Sequence, residues 1–211
     1  MKRLVIVGAG GFGREVLDIV EAVNAAGPMF DFLGFVDDDD NLNVALLSRR
    51  HAAFLGAVDT LAGVDANYVI GIGSPVARKS VDERIGAWRT RPVTITHPAS
   101  TVASEVVLGP GAVLAAGARL STNLQIGRQF HANPNATVGH DSVIGDYVTL
   151  SPGAHISGNV TLGDGVMIGT GAVVIQGCRV GDWAVIGAGA VVVRDVAAGV
   201  TAAGVPARSV G

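Results

Sequence analysis

The chain has 211 residues, 49% of them hydrophobic and 16% charged, with 30 glycines, 8 prolines and one cysteine. That apolar content excludes a disordered chain, the length allows one large domain or two small ones, and a formal charge of -3 gives no electrostatic reason to bind nucleic acid or an anionic membrane. The lone Cys178 excludes a disulfide framework and a cysteine-based zinc site, and no apolar run reaches the ~18 residues of a spanning helix.

Met1-Lys2-Arg3 precedes only a short apolar run, Leu4 to Val7, too short for a signal-peptide core. The expectation is a soluble cytoplasmic protein with neither nucleic acid nor membrane as partner. Residues 1–95 alternate strand and helix. Leu4–Val7, ending in glycines, reads as a buried parallel strand. Val16, Leu17, Ile19, Val20 and Val23 give residues 14–25 a helical stripe. Phe32–Val36 reads as a second strand stopped by Asp37-Asp38-Asp39-Asp40, and Tyr68–Ile72 as a third. A helix over 76–88 follows Gly73-Ser74-Pro75. This pattern predicts a small Rossmann-like parallel α/β domain, and His97-Pro98 marks its end.

A repeat then takes over. Stepping by six from Leu108 to Val192, fourteen of fifteen positions are Val, Ile or Leu, Ala132 being the exception, and Val102 extends the series upstream. Glycine often follows directly (Gly109, Gly127, Gly139, Gly145, Gly163), and a small residue stands four positions on (Ala112, Ala118, Ala136, Ser142, Cys178). Strand alternation points the aliphatic position and the residue two before it inward, and the glycines supply corners. Each hexad is therefore a short strand plus a corner, and stacked corners build a narrow parallel β-solenoid over 96–211. The narrow interior accounts for an aromatic content of 5%, and it makes Cys178 a packing residue.

The unbroken [Leu/Ile/Val]-Gly-x-x-[small]-x hexads resemble those of the hexapeptide-repeat acyltransferases. That resemblance implies a left-handed β-helix with three hexads, 18 residues, per coil. Gly8-Ala9-Gly10-Gly11-Phe12-Gly13-Arg14-Glu15, Gly34-Phe35-Val36-Asp37-Asp38 and Gly71-Ile72-Gly73-Ser74 narrow the likeness to the nucleotide-sugar acetyltransferases. That subgroup contains UDP-4-amino-sugar and GDP-perosamine N-acetyltransferases and sialic-acid O-acetyltransferases. The closing Gly204-Val205-Pro206-Ala207-Arg208 is similar to the family's Gly-Asn-Pro-Ala-[Lys/Arg] tail, with Val205 in place of Asn. The implied protein is a homotrimer whose active sites lie between neighbouring solenoids. It takes acetyl-CoA as co-substrate and needs no metal.

Gly8-x-Gly10-x-x-Gly13 with a later Asp37 also fits a dinucleotide fingerprint. A dinucleotide site takes two mononucleotide halves, though, and about 95 residues supply one, which suits a nucleotide-sugar. The N–H groups of Gly10, Gly11 and Phe12 would hold its diphosphate. Asp37 or Asp38 would accept from base or ribose, with Ser74 on the same rim. On the solenoid the candidates are His131, His140 and His155, with His97 at the junction. The resemblance makes His140 the general base and Asp141 its acid partner. An amine attacking a thioester must lose a proton, imidazole titrates near working pH, and a carboxylate fixes its tautomer. One coil above His140 stands Gly158. With strands ~4.8 Å apart its backbone neighbours the imidazole, and its N–H would bind the oxyanion. Asn133, Thr149, Thr170 and Ala188 match the family's acetyl-CoA contacts, although Pro134 replaces a usual Thr and Thr149 a frequent His. The expected activity is direct, acetyl-CoA-dependent N-acetylation of a nucleotide-linked amino sugar. A sialic-acid-type O-acetyltransferase shares every motif. A trimeric scaffold or sugar sensor would have no need of His140-Asp141, and an NAD-linked enzyme rests on the glycine loop alone.

Overall fold

The computed structural model describes residues 1–210; Gly211, the last residue of the expected tail, lies outside the described residues. The chain divides into two compact units, Met1–Pro98 and from Ala99 onward.

The first unit runs β1 (Lys2–Val7), α1 (Gly11–Ala26), β2 (Phe30–Val36), α2 (Ala45–Ser48), β3 (Phe54–Gly56), a 3-10 turn at Val58–Gly63, β4 (Asn67–Ile70) and α3 (Pro75–Ile85). The strands form one parallel sheet in the order β3-β2-β1-β4. Leu4, Val5, Ile6 and Val7 are each 0% exposed, as a strand covered on both faces must be, and α1 buries the predicted stripe. The helix starts three residues earlier than its apolar spacing suggests, because the extended Gly10 serves as its N-cap. β4 ends at Ile70 because Gly71 meets the backbone of Gly13, where a Cβ would stand 2.6 Å from the Gly13 Cα. α3 stops before Gly86, its C-cap. The short elements α2 and β3 carry too few apolar residues for a periodicity to register.

The second unit is a stack of two- and three-residue parallel strands in three sheets. One face carries Leu124–Ile126, Val143–Ile144, Thr161–Leu162 and Arg179–Val180. A second carries His131–Ala132, Thr149–Leu150, Met167–Ile168 and Val185–Ile186. The third carries Thr137–Val138, His155–Ile156, Val173–Val174 and Val191–Val192. Every pairing among these strands joins residues 18 apart, as in His131↔Thr149 and Thr137↔His155. The hydrophobic core consists of the aliphatic positions and the residues two before them, from Ala112 and Leu114 to Ala190 and Val192, with Cys178 and the single ring of Phe130 among them.

From Glu105 to Gly189 each corner turns through a residue of positive φ. The columns are Glu105, Asn123, Asp141, Asn159 and Gly177; Gly111, Gln129, Tyr147, Gly165 and Trp183; and Gly117, Asn135, Gly153, Gly171 and Gly189. Asn, Asp and Gly adopt this conformation at least cost. The 18-residue step fails once, at the top, where Val180 bridges Val196 and Val185 pairs Thr201. That coil is two residues short, and the tail then folds back as an antiparallel hairpin, Ala202↔Ser209.

Candidate active site

His140 sits on the corner between the third and first faces, within Gly139-His140-Asp141-Ser142. Gly139 allows the coils to stack: a Cβ there would stand 2.6 Å from the Gly158 nitrogen. Asp141 turns the chain at φ 60. Ser142 points inward and is fully buried, and its hydroxyl accepts from the Val160 N–H at 3.2 Å while donating toward the Ser157 and His140 carbonyls. The Asn159 N–H one coil above donates to the His140 carbonyl at 2.7 Å. The corner is thus braced from inside and above, while the His140 and Asp141 side chains stay 62% and 50% exposed.

His140 Nδ1 lies 2.6 Å from Asp141 Oδ2, and the other carboxylate oxygen accepts from Asn123 Nδ2 at 2.6 Å. The Asn123 amide first, and His140 second, hold the Asp141 carboxyl below its ordinary value. An ionised carboxylate only accepts, so Nδ1 carries the proton, and it is Nε2 that presents a lone pair when the ring is neutral. Gly158 lies against that edge of the ring, where a Cβ would stand 2.6 Å from both Cε1 and Nε2. Glycine keeps the space beside Nε2 clear, and the Gly158 N–H donates to no group among the described residues. The pair and the glycine are brought together as the spacing requires. Asn123 and Ser142 were not singled out from sequence, yet Asn123 stands one coil below Asp141, and the same arithmetic that found Gly158 would have found it.

The residues expected to contact acetyl-CoA group elsewhere. Asn133, Thr170 and Ala188 share the corner between the second and third faces, a different edge from His140. Thr170 and Ala188 are exposed. Asn133 is 8% exposed and its amide donates to the Leu150 carbonyl at 2.9 Å, while Thr149 is buried at 2%. Asn133 completes a backbone bond between coils, and Thr149 lies under cover.

In the α/β unit no side chain caps α1, and a Cβ at Gly10 or Gly11 would meet nothing within 4 Å. Gly11 and Phe12 open the helix beside this clear space, which suits an anion. Gly13 differs, since its Cβ would overlap the Gly8 carbonyl. Asp37 Oδ2 accepts from the Ala9 N–H at 2.6 Å and Oδ1 from the Asp39 N–H at 2.9 Å, so Asp37 braces the glycine loop. Asp38 accepts from the Val58 N–H at 2.9 Å and pairs with Arg84 at 2.7 Å. Slight burial would raise its carboxyl, but the Val58 N–H and Arg84 outweigh it and hold the group below its ordinary value. Ser74 caps α3, accepting from the Ala77 N–H at 3.4 Å. The three side chains expected to meet a ligand all make bonds within the unit.

Of the other histidines, His131 is 0% exposed and His155 Nδ1 lies 3.0 Å from Thr137 Oγ1. Among the described residues no group of three or more His, Cys, Asp or Glu side chains is placed to hold a metal ion. Cys178 is buried in the core; burial, and after it Asp195, push its thiol up. Among the described residues no helix is long and apolar enough to cross a membrane.

Comparison with known proteins adds the rest. Residues 3–85 match the PglD N-terminal domain, and residues 159–194 match the bacterial transferase hexapeptide (six repeats). The GDP-perosamine N-acetyltransferase of Escherichia coli O157:H7 is 38% identical over 150 residues, which cover 68% of this chain and 65% of that protein. The chain thus spans just under two thirds of the length of this curated relative. The acetyltransferase domain of PglB from Neisseria gonorrhoeae, solved with acetyl coenzyme A, has a TM-score of 0.88 at 30% identity, covering 99% of each chain. A mutant perosamine N-acetyltransferase from Caulobacter crescentus, solved with CoA and GDP-perosamine, has a TM-score of 0.87 at 28% identity, covering 100% of this chain and 98% of that one. The architecture is the expected one, an α/β unit of Rossmann type followed by a left-handed β-helix.

Proposed function

This chain belongs to the hexapeptide-repeat nucleotide-sugar acetyltransferases, and from that premise we propose that it transfers an acetyl group from acetyl-CoA to the amine of a nucleotide-linked amino sugar. The observation that carries this reading is the exposed His140–Asp141 pair with Gly158 against the ring edge. His140 Nε2 takes a proton from the amine as its nitrogen attacks the thioester carbonyl. Asp141 holds the Nδ1 proton and stabilises the imidazolium that forms. The Gly158 N–H meets the oxyanion of the tetrahedral intermediate. Its collapse breaks the carbon–sulfur bond, and CoA departs as the thiolate, which the His140 proton can neutralise. Transfer is direct, with no acetyl-enzyme.

The α/β unit binds the nucleotide, with the N–H groups of Gly10, Gly11 and Phe12 on its diphosphate and Asp37, Asp38 and Ser74 shaping the rim rather than supplying free acceptors. The pantetheine of acetyl-CoA runs along the edge carrying Asn133, Thr170 and Ala188, with Thr149 beneath it. His140 and that edge lie on different corners of one solenoid. A homotrimer, in which one chain's His140 corner faces the next chain's cofactor edge, unites them. The protein works in the cytoplasm. The PglB domain solved with acetyl coenzyme A and the perosamine enzyme solved with GDP-perosamine support this assignment of donor and acceptor class.

The test is a panel of GDP-, UDP- and dTDP-linked amino sugars, each incubated with acetyl-CoA while CoA release is followed by a thiol reagent. Turnover with an amino-sugar nucleotide and none with the hydroxyl analogue is expected. Turnover only with a free sugar hydroxyl would replace N- by O-acetylation. A burst of CoA before acceptor is added would contradict direct transfer.

A further inference from the structure

The corner that carries His140 contains a third polar member. Asp141 is half exposed, and an exposed carboxylate bonded on one side alone rotates freely about χ1 and χ2. Here it is held at two points, by His140 Nδ1 on Oδ2 and by Asn123 Nδ2 on Oδ1, each at 2.6 Å. The backbone beneath is fixed as well, since Asp141 donates its N–H to the Thr122 carbonyl at 3.2 Å and turns at φ 60, in the same column as Asn123 at φ 56. Asn123 itself contacts neither reacting atom.

We propose that Asn123 is a positioning residue: its amide holds one oxygen of Asp141 so that the other faces His140 Nδ1, which keeps the imidazole in the tautomer whose Nε2 is free to take a proton. The role rests on the reading of His140 as the base. The donor to Oδ1 must be the Asn123 Nδ2, because an ionised carboxylate offers acceptors only. Removing the amide leaves Asp141 charged but free to turn toward water, so the deficit falls on proton transfer and not on binding. The other members of the column are Glu105 below Asn123, and Asn159 and Gly177 above Asp141. Glu105 is therefore the one further carboxylate in line with the pair.

Two variants separate this role from a structural one. Asn123→Gly removes the amide without straining the left-handed backbone, a conformation that Gly177 already adopts in the same column. Expected is a kcat about tenfold lower with KM for both substrates within twofold. Asn123→Asp places two carboxylates in contact, which cannot both ionise. At low pH the protonated partner donates to Asp141 as the amide did, so activity relative to Asn123→Gly should rise as pH falls. The second readout needs no substrate: the ring 15N shifts of His140 report its tautomer, Nδ1–H in the wild type and a mixture in Asn123→Gly. A kcat within twofold of wild type, a change confined to KM or to melting temperature, or an unaltered tautomer would each overturn the proposal. If the wild type transfers no acetyl group to any amino-sugar nucleotide, the proposed function fails, and the tautomer measurement still decides what Asn123 does.

Discussion

The two units place their chemistry differently. In the α/β unit the side chains that look reactive are occupied: Asp37 braces the glycine loop, Asp38 pairs with Arg84, and Ser74 caps a helix. What remains to meet a ligand is backbone, the clear space beside Gly10 and Gly11. On the solenoid most of the backbone is spent on joining coils, the Gly158 N–H excepted, and what stands exposed is the corner side chains of His140 and Asp141. A sheet with helices on its rim offers amides, whereas a solenoid that consumes most of its amides offers corners.

Substitutions on each side should expose this contrast. Short of removing the base itself, the largest effect is expected of Gly158→Ala. Its φ is not left-handed, so the fold should tolerate it, but the new Cβ would stand 2.6 Å from the His140 ring. Displacing a base by about 1 Å costs up to ~100-fold, and kcat should fall about 10- to 100-fold at an unchanged melting temperature. Gly13→Ala acts on the other unit, forcing a methyl into the Gly8 carbonyl. Overpacking of this kind costs about 1–3 kcal/mol, and amide exchange should quicken in residues 1–98 while the solenoid stays protected. Asp146→Ala removes the acceptor of the Arg128 N–H, 2.8 Å away on the solenoid. It should lower stability by about 1 kcal/mol and leave kcat alone.

The smallest effect concerns acid. The folded-state pKa of Asp38 lies below its ordinary 3.8. Its stabilisation is thus complete above that value and is lost as pH falls through the depressed one. Arg84→Ala should shallow that part of the pH–stability curve without abolishing it, since the Val58 N–H still holds Asp38, and at pH 7 should remove only the surface ion pairs to Asp38 and Asp59, all partners being more than a third exposed.

How much of this is legible in sequence follows from periodicity. A strict 18-residue step turns position in the chain into position in space, so the sequence alone sets Gly158 against His140, and Asn123 against Asp141 by the same step. The step fails only where Val180 meets Val196, two residues early, at the last coil. Nothing periodic links Asp37 to Ala9 or Asp38 to Arg84, 46 residues on. A carboxylate at a strand end looks the same in sequence whether it awaits a ribose or a backbone amide. Thr149 is a related case: the hexad shows that its side chain leaves the prism, and says nothing of what covers that face.

The central claim is that His140 is the base. With acetyl-CoA and an amino-sugar nucleotide both saturating, kcat of His140→Ala should fall at least about 100-fold below wild type, with KM for acetyl-CoA unchanged and the circular dichroism spectrum intact. A kcat within threefold of wild type would show that the proton leaves by another route and would contradict the account.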